Sequence, residues 1–344
     1  MDPVVDSLKK IMPEAVESLL KRYRILTAIK NMGPVGRRVL AEHLQLSERD
    51  ARKETDLLRN QSLVHYDSSG MMITEDGENV LVGLHELTRE WSGITEVERK
   101  LEELLNIREV IVVSGDCEHD PQTKTMMGSE AANRLSTVIQ KGQTIAVTGG
   151  SSVAAVAESV PSSVKNKDLL FIAARGGMGG DLQTQANSIV ASIAEKTAGK
   201  YRTLFLPDQL SEESYESIMK EPFIVDMINL YQTTDLVIHG IGDATEMAVK
   251  RNSTDEEIGI LKDTGAVGEA FGYYFNEQGE AVHRIRTVGI QLSQLERVPT
   301  ILAVAGGSKK DLAILSYLKH APQQTTLITD EGAALNMLNR LSNK

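Results

Sequence analysis

Apolar residues recur at helical spacing along the first third of the chain and in short, dense runs along the rest. Val4, Val5, Leu8, Ile11, Met12, Val16, Leu19 and Leu20 follow a rough helical period that Pro13 interrupts. Residues 1–20 therefore read as an arm that packs on its neighbour, being too short to fold alone. Tyr23, Ile25, Leu26, Ile29 and Met32 predict a helix ending near Gly33-Pro34, and Val39, Leu40 and Leu44 predict a second. Ser47-Glu48-Arg49-Asp50 is a capping box opening a third. Helix, short turn and capped helix make a helix-turn-helix pattern. The runs 63–66 and 71–74 around Asp67-Ser68-Ser69-Gly70 then predict a β-hairpin, the wing of a winged helix. Two further stripes, Val80, Leu81, Leu84, Leu87 and Trp91, then Ile94, Val97, Leu101, Leu104 and Leu105, are separated by Gly93. Such narrow seams suit pairing between protomers, and packing back on the body explains them equally.

From residue 109 the period changes. Runs at 109–113, 144–148, 169–173, 203–206, 235–239, 301–305 and 325–329 predict buried strands. Helical stretches at 185–197, 309–319 and 331–341 fall between them. This is the pattern of a doubly wound, mostly parallel sheet. The run 267–275 and the turn Asn276-Glu277-Gln278-Gly279 predict an inserted hairpin. The expected organisation is α/β: a winged helix-turn-helix with its arm at 1–74, a helical linker at 75–106 and the sheet domain at 107–344.

Four of these strands run into glycine-rich turns: Thr148-Gly149-Gly150-Ser151-Ser152, Arg175-Gly176-Gly177-Met178-Gly179-Gly180, His239-Gly240-Ile241-Gly242-Asp243 and Ala305-Gly306-Gly307-Ser308-Lys309-Lys310. Paired glycines let a backbone turn sharply and approach a ligand. Hydroxyls and free N–H groups at a helix N-terminus favour an anion, and phosphate is the natural guest. Taken alone, the turn at 149–152 reads equally as a helix start capped by serine. Repetition favours the ligand, because open α/β sheets gather such loops along one crevice.

Composition narrows the classes. A chain of 344 residues has material for two domains or more, and 41% hydrophobic with 25% charged residues is ordinary for a globular protein. Cys117 is the only cysteine, which excludes an intrachain disulfide or a thiolate cluster and suits a reducing cytoplasm. The seven histidines form no His-x-x-x-His pair, so no metal site is expected. No run approaches the ~18 apolar residues of a membrane span, and the N-terminus is no secretory signal. A cytoplasmic location without a membrane partner is expected. A net charge of −11 argues against indiscriminate nucleic-acid binding by the whole surface, yet residues 21–60 carry ten Lys and Arg against five Asp and Glu. On the third predicted helix Arg49, Arg52 and Lys53 share one arc, with Ser47 at the cap and Ala51, Leu58 and the Thr55 methyl opposite. That face suits a major groove, entered N-terminus first. A merely solvated helical face is the alternative, but pattern, cap, wing and charge agree on DNA.

With these five motifs in order behind a winged helix, the fifth being Glu269-Ala270-Phe271-Gly272-Tyr273-Tyr274-Phe275, the chain resembles the SorC-type sugar-responsive transcription regulators over nearly its whole length. Each loop alone is a weak motif; together they are specific. The resemblance implies a repressor of glycolytic genes that binds operator DNA as a homodimer or homotetramer. It implies release by fructose 1,6-bisphosphate or a related sugar phosphate, no cofactor, and a sheet domain with the fold of sugar-phosphate isomerases and glucosamine-6-phosphate deaminases. Carried over, Gly149, Gly150, Ser151 and Ser152 would hold one phosphate. Arg175 with Gly176 beside it, Arg251 and Lys310 would supply charge, and Gln185 and Glu269 would hold sugar hydroxyls. Two serines stand where threonines are common in the family, and Lys309 doubles the lysine, so either lysine could point inward. Arg251, beside Lys250, reads equally as a surface residue.

An isomerase or deaminase with an appended DNA-binding segment is the second reading. Such an enzyme needs a positioned acid and base. In the deaminases a Gly-Ile-Gly loop runs into Asp-Gly-His, whereas here it runs into Asp243-Ala244-Thr245. His239 precedes the loop and reads as readily as a buried core residue as a base. Glu269 has no identifiable partner acid, so a ligand-binding relic of an enzyme fold is favoured. A DNA-binding oligomer without a ligand, the third reading, is disfavoured by the four phosphate-suited loops.

Overall fold

The computed structural model describes residues 7, 8, 10–44, 46–165, 167–177 and 181–342. The chain divides into two compact units, residues 1–97 and 98–344.

In the first unit, α1 (Pro13–Met32) runs without a break. Pro13 interrupts the helical period as expected, just ahead of α1: residues 7, 8, 10 and 11 are helical and Met12 (φ −138°, ψ 56°) is not. Pro13 itself sits in the first turn, where a missing N–H costs nothing and the fixed φ is already helical. α2 (Arg37–His43) and α3 (Glu48–Asn60) follow, and the Ser47 hydroxyl caps α3 by accepting from the Asp50 N–H at 3.1 Å. Only half of the predicted capping box forms. The Asp50 carboxylate accepts from the Ser47 hydroxyl at 2.7 Å instead of reaching the cap's backbone. β1 (Val64–Tyr66) and β2 (Met71–Ile73) pair antiparallel as the wing, with Val35 bridging to Met71. α4 (Glu75–Ser92) ends at Gly93, whose φ of +82° lets the chain leave the helix. Ile25, Leu26 and Ile29 of α1, Leu40, Leu58, Val64, Met71 and Leu81 form the core of this unit. α5 (Ile94–Leu105) carries the chain into the second unit.

The second unit alternates strands and helices: β3 (Glu109–Val113), α6 (Pro121–Val138), β4 (Thr144–Val147), α7 (Ser151–Ser159), β5 (Leu170–Ala173), α8 (Ala186–Thr197) and β6 (Lys200–Arg202). α9 (Glu212–Ile218) and α10 (Pro222–Gln232) lead to β7 (Leu236–His239). Next come β8 (Gly242–Asp243), α11 (Ala244–Lys250), α12 (Asp255–Asp263), β9 (Ala266–Ala270), β10 (Tyr273–Asn276) and β11 (Ala281–Arg284). α13 (Leu292–Leu295), β12 (Thr300–Val304), α14 (Asp311–Leu318), β13 (Thr325–Asp330) and α15 (Glu331–Ser342) complete the unit. Seven strands form one sheet in the order β3-β13-β12-β7-β4-β5-β6, every pair parallel. The inserted hairpin is larger than expected, a four-stranded antiparallel sheet ordered β11-β10-β9-β8.

One predicted strand is displaced. The run 203–206 was expected to pair, yet the strand forms three residues earlier, at Lys200–Arg202. The Asn187 side chain occupies the Leu204 backbone, accepting from its N–H at 2.8 Å and donating to its carbonyl at 3.1 Å, so these groups are lost to the ladder. At the opposite edge, α5 shields β3. Glu102 accepts from the Val110 N–H at 2.9 Å and Glu98 from the Val112 N–H at 2.7 Å. One helical turn, about 6 Å, matches two strand residues, so both carboxylates meet donors that an open edge would expose.

The sheet order sets the site. From β4 the chain moves outward through β5 and β6, and from β7, on the other flank of β4, it moves outward through β12 and β13. β4 and β7 are thus neighbours whose connections diverge, the topology that opens a crevice at the strands' carboxyl ends.

Candidate functional site

The four glycine-rich turns follow β12, β7, β4 and β5, which are consecutive in the sheet; Met178, Gly179 and Gly180 of the turn after β5 lie outside the described residues. At ordinary strand spacing the turns span about 15 Å. Thr148 joins two of them, its hydroxyl accepting from the Gly240 N–H at 3.3 Å.

The turn after β4 stands at the crevice. Gly150 has φ +128° and ψ 152°, a conformation open essentially to glycine alone. Gly150 is the N-cap of α7, with no side-chain cap, so the serine-capped alternative does not form. Ser151 and Ser152 fall in the first helical turn, exposed and half-buried respectively. First-turn N–H groups, two hydroxyls and the positive end of the helix therefore meet at one point, an arrangement suited to a phosphate. Gln185, half-buried at the start of α8, packs its amide oxygen against Gly177. Of the two lysines after β12, Lys309 is 79% exposed, while Lys310 is 26% exposed and 3.4 Å from Glu246. Lys310 is the inner one.

Arg175 and Arg251 lie together in a buried ring of alternating charge. Arg175 donates to both oxygens of Asp208, at 2.7 and 2.8 Å, and to Glu269 at 2.9 Å. Arg251 donates to Asp208 at 2.8 Å, to Glu269 at 2.9 Å and to the Tyr274 hydroxyl at 2.8 Å. The Arg251 side chain is 1% exposed, so it is no surface residue. Burial alone would raise the Glu269 carboxyl, but Arg251 and Arg175 outweigh it and hold the group below its ordinary range. Burial likewise opposes the Arg251 charge, and Glu269 and Asp208 reverse that effect and raise the guanidinium. Asp208 and Tyr274 escaped sequence reasoning as members of this cluster. Asp208 lies on a loop after β6 without a motif, and Tyr274 sits inside an aromatic run that reads as core.

His239 closes β7 and is fully buried between Phe271 and Tyr317, with ring centroids 4.6 and 4.9 Å away. Nδ1 faces the Gly240 carbonyl at 3.1 Å, while Nε2 has no partner. Burial pushes its pKa down to about 4, so at neutral pH it is an uncharged core residue that no substrate can reach.

In the first unit, Arg49, Arg52 and Lys53 are exposed on α3, opposite buried Ala51, Thr55 and Leu58. Arg52 lies 3.8 Å from Asp56, an exposed pair of little energetic weight. Part of the basic excess is spent internally, since Lys21 and Arg22 both pair with buried Glu54. Arg37 and Arg59 both lie over the ring of Tyr66 in the wing, 4.9 and 5.2 Å from its centroid. This aromatic-centred basic cluster went unread in the sequence because its members are far apart in the chain.

Each part of the chain matches a known family. Residues 19–88 match the family described as "CggR N-terminal DNA binding domain", and residues 89–339 match "Putative sugar-binding domain". The chain is 45% identical over 339 residues to the central glycolytic genes regulator of Priestia megaterium (98% of this chain, 99% of that protein). It is 42% identical over 338 residues to that of Bacillus subtilis, with the same coverage. The chain belongs to the central glycolytic genes regulator family. A solved structure from Enterococcus faecalis, described as "putative SorC family transcriptional regulator", superposes with TM-score 0.67 at 42% identity. It covers 71% of this chain and 99% of its own. As a member of this family the chain is a DNA-binding, sugar-responsive transcriptional regulator and not an enzyme.

Proposed function

We propose that the chain represses glycolytic genes in the cytoplasm as a homodimer or homotetramer, and that fructose 1,6-bisphosphate releases it from its operator. Ser47, Arg49, Arg52 and Lys53 face the operator. Gly149, Gly150, Ser151, Ser152 and Lys310 take one phosphate, Gln185 and Glu269 hold sugar hydroxyls, and Arg175 with Gly176 and Arg251 serve the second phosphate. The observation that carries this reading is the uncapped first turn of α7 at the switch point, with two hydroxyls beside it and an inward lysine two strands away. The mechanism is linkage: effector and operator prefer different arrangements of the same oligomer, so each weakens the other by a shared free energy. α5, whose carboxylates grip β3, is the natural carrier of that change.

Replacing Ser151 and Ser152 by Ala tests it. A hydrogen bond to a charged group is worth ~1.5–3 kcal/mol, so losing both lowers effector affinity by about two orders of magnitude or more. Operator affinity stays at the parent value, because Gly149 and Gly150 still set the turn. Calorimetric titration with a panel of sugar phosphates, alongside operator release followed by fluorescence anisotropy, reads both. Parent-like affinity in the double variant refutes the assignment.

A further inference from the structure

Both arginines assigned to phosphate are closed off. The side chain of Arg175 is 7% exposed and that of Arg251 1%, and Asp208 and Glu269 bridge the pair. The two carboxylates are held differently. Glu269 is fixed in β9, with its Oε1 also accepting from the Gly272 N–H at 2.6 Å. Asp208 lies in the connection 203–211, outside any regular element. Its N–H donates to the Gly177 carbonyl at 2.9 Å, and the Gly177 N–H donates to the Leu206 carbonyl at 2.9 Å. Gly176 allows this seat, since a Cβ there would lie 2.5 Å from the Leu206 carbonyl.

Asp208 engages Arg175 through Nε and Nη2 together, the side-on fork by which a guanidinium also takes phosphate. We propose that Asp208 is an internal anion that occupies the Arg175 fork in the ligand-free protein, and that the effector's phosphate binds there by displacing it. The inference rests on the reading of this crevice as a sugar-phosphate site. A buried ring of four charges is poor as a stabilising device, because desolvation consumes most of its attraction. Its place beside the β4 turn, on the neighbouring strand, gives it a use. It keeps two guanidinium groups oriented and neutralised until a stronger anion arrives. The exchange frees the loop carrying Asp208 and breaks its register with Gly177, so ligand entry becomes movement of 203–211. Affinity in the parent is reduced by the fraction of time the latch is closed.

The test compares Asp208→Asn with the parent, in the full chain, by calorimetric titration with inorganic phosphate and with fructose 1,6-bisphosphate. Asn keeps the volume and removes the competing charge. A gain of ~10-fold or more for both anions is expected, corresponding to a latch closed at least nine-tenths of the time. A folded variant with unchanged or weaker affinity makes Asp208 a plain structural partner and overturns the proposal. If the parent binds the sugar phosphate and the variant gains nothing, the latch falls and the effector assignment stands. If the variant gains affinity for inorganic phosphate while neither protein binds the sugar phosphate, the effector assignment falls and the latch stands. If neither protein binds either anion, both fall. Should the variant not fold, hydrogen exchange on the parent decides. Saturating inorganic phosphate or sugar phosphate must speed exchange of the Gly177 and Asp208 amides, and slower or unchanged exchange overturns the latch.

Discussion

His239→Phe isolates the energetic consequence of burying an imidazole at the end of β7. In the folded chain burial lowers the His239 pKa from 6.5 to about 4. Between those values the unfolded chain binds a proton that the folded chain refuses, so stability is complete above pH 6.5 and is lost as the pH falls toward 4. The full difference is worth about 3 kcal/mol, of which about 2 kcal/mol disappears between pH 7 and pH 5. Phenylalanine fills the same slot against Phe271 and Tyr317 and removes the unpartnered Nε2. The variant should therefore lack that ~2 kcal/mol of acid sensitivity, whatever overpacking does to its absolute stability. Urea unfolding at both pH values, followed by far-ultraviolet circular dichroism, measures the difference. Trp91, the only tryptophan, lies on α4 in the first unit, so its fluorescence reports on that unit separately. Every other titrating group is common to the two proteins and cancels. Equal losses of stability from pH 7 to pH 5 in parent and variant would refute a neutral, buried His239.

Two more expectations bear on the interfaces. Gly150→Ala forces a side chain into φ +128°, where nothing lies within 4 Å of the added Cβ, so the cost of ~1–3 kcal/mol is backbone strain alone. Effector response should fail while operator affinity is kept, and a parent-like response would mean the turn tolerates another conformation. Arg52→Ala and Lys53→Ala should weaken operator binding without changing sugar-phosphate affinity, by ~1–3 kcal/mol at one base pair if Arg52 reads a guanine edge. A phosphate contact would instead weaken all sequences alike and reduce the salt slope. Unchanged DNA affinity in both variants would remove α3 from the groove.

Much of this molecule follows from local pattern. The period change near residue 109, the Ser47 cap, the wing turn and the glycine-rich turns after four strands are properties of neighbouring residues, and neighbouring residues carry their signal in the sequence. Pro13 shows the limit within even that range: the break it signals is present, but the long helix that resumes there is visible only in the structure. Proline is compatible with a helix's first turn and hostile to its interior, and only the observed boundary tells which applies. The β6 strand shows a second limit, since Asn187 claims the Leu204 backbone from 17 residues away. Strand order lies further out of reach: repetition of the turns points to a shared crevice, but that β12, β7, β4 and β5 are consecutive in the sheet is decided by the fold. The ring of Arg175, Asp208, Arg251 and Glu269 is the extreme case. Its members sit 33, 43 and 18 residues apart along the chain. No periodicity links them, and a charged residue in a loop reads as solvated until the fold removes the water. Sequence supplied the groups; tertiary burial decided which of them became partners.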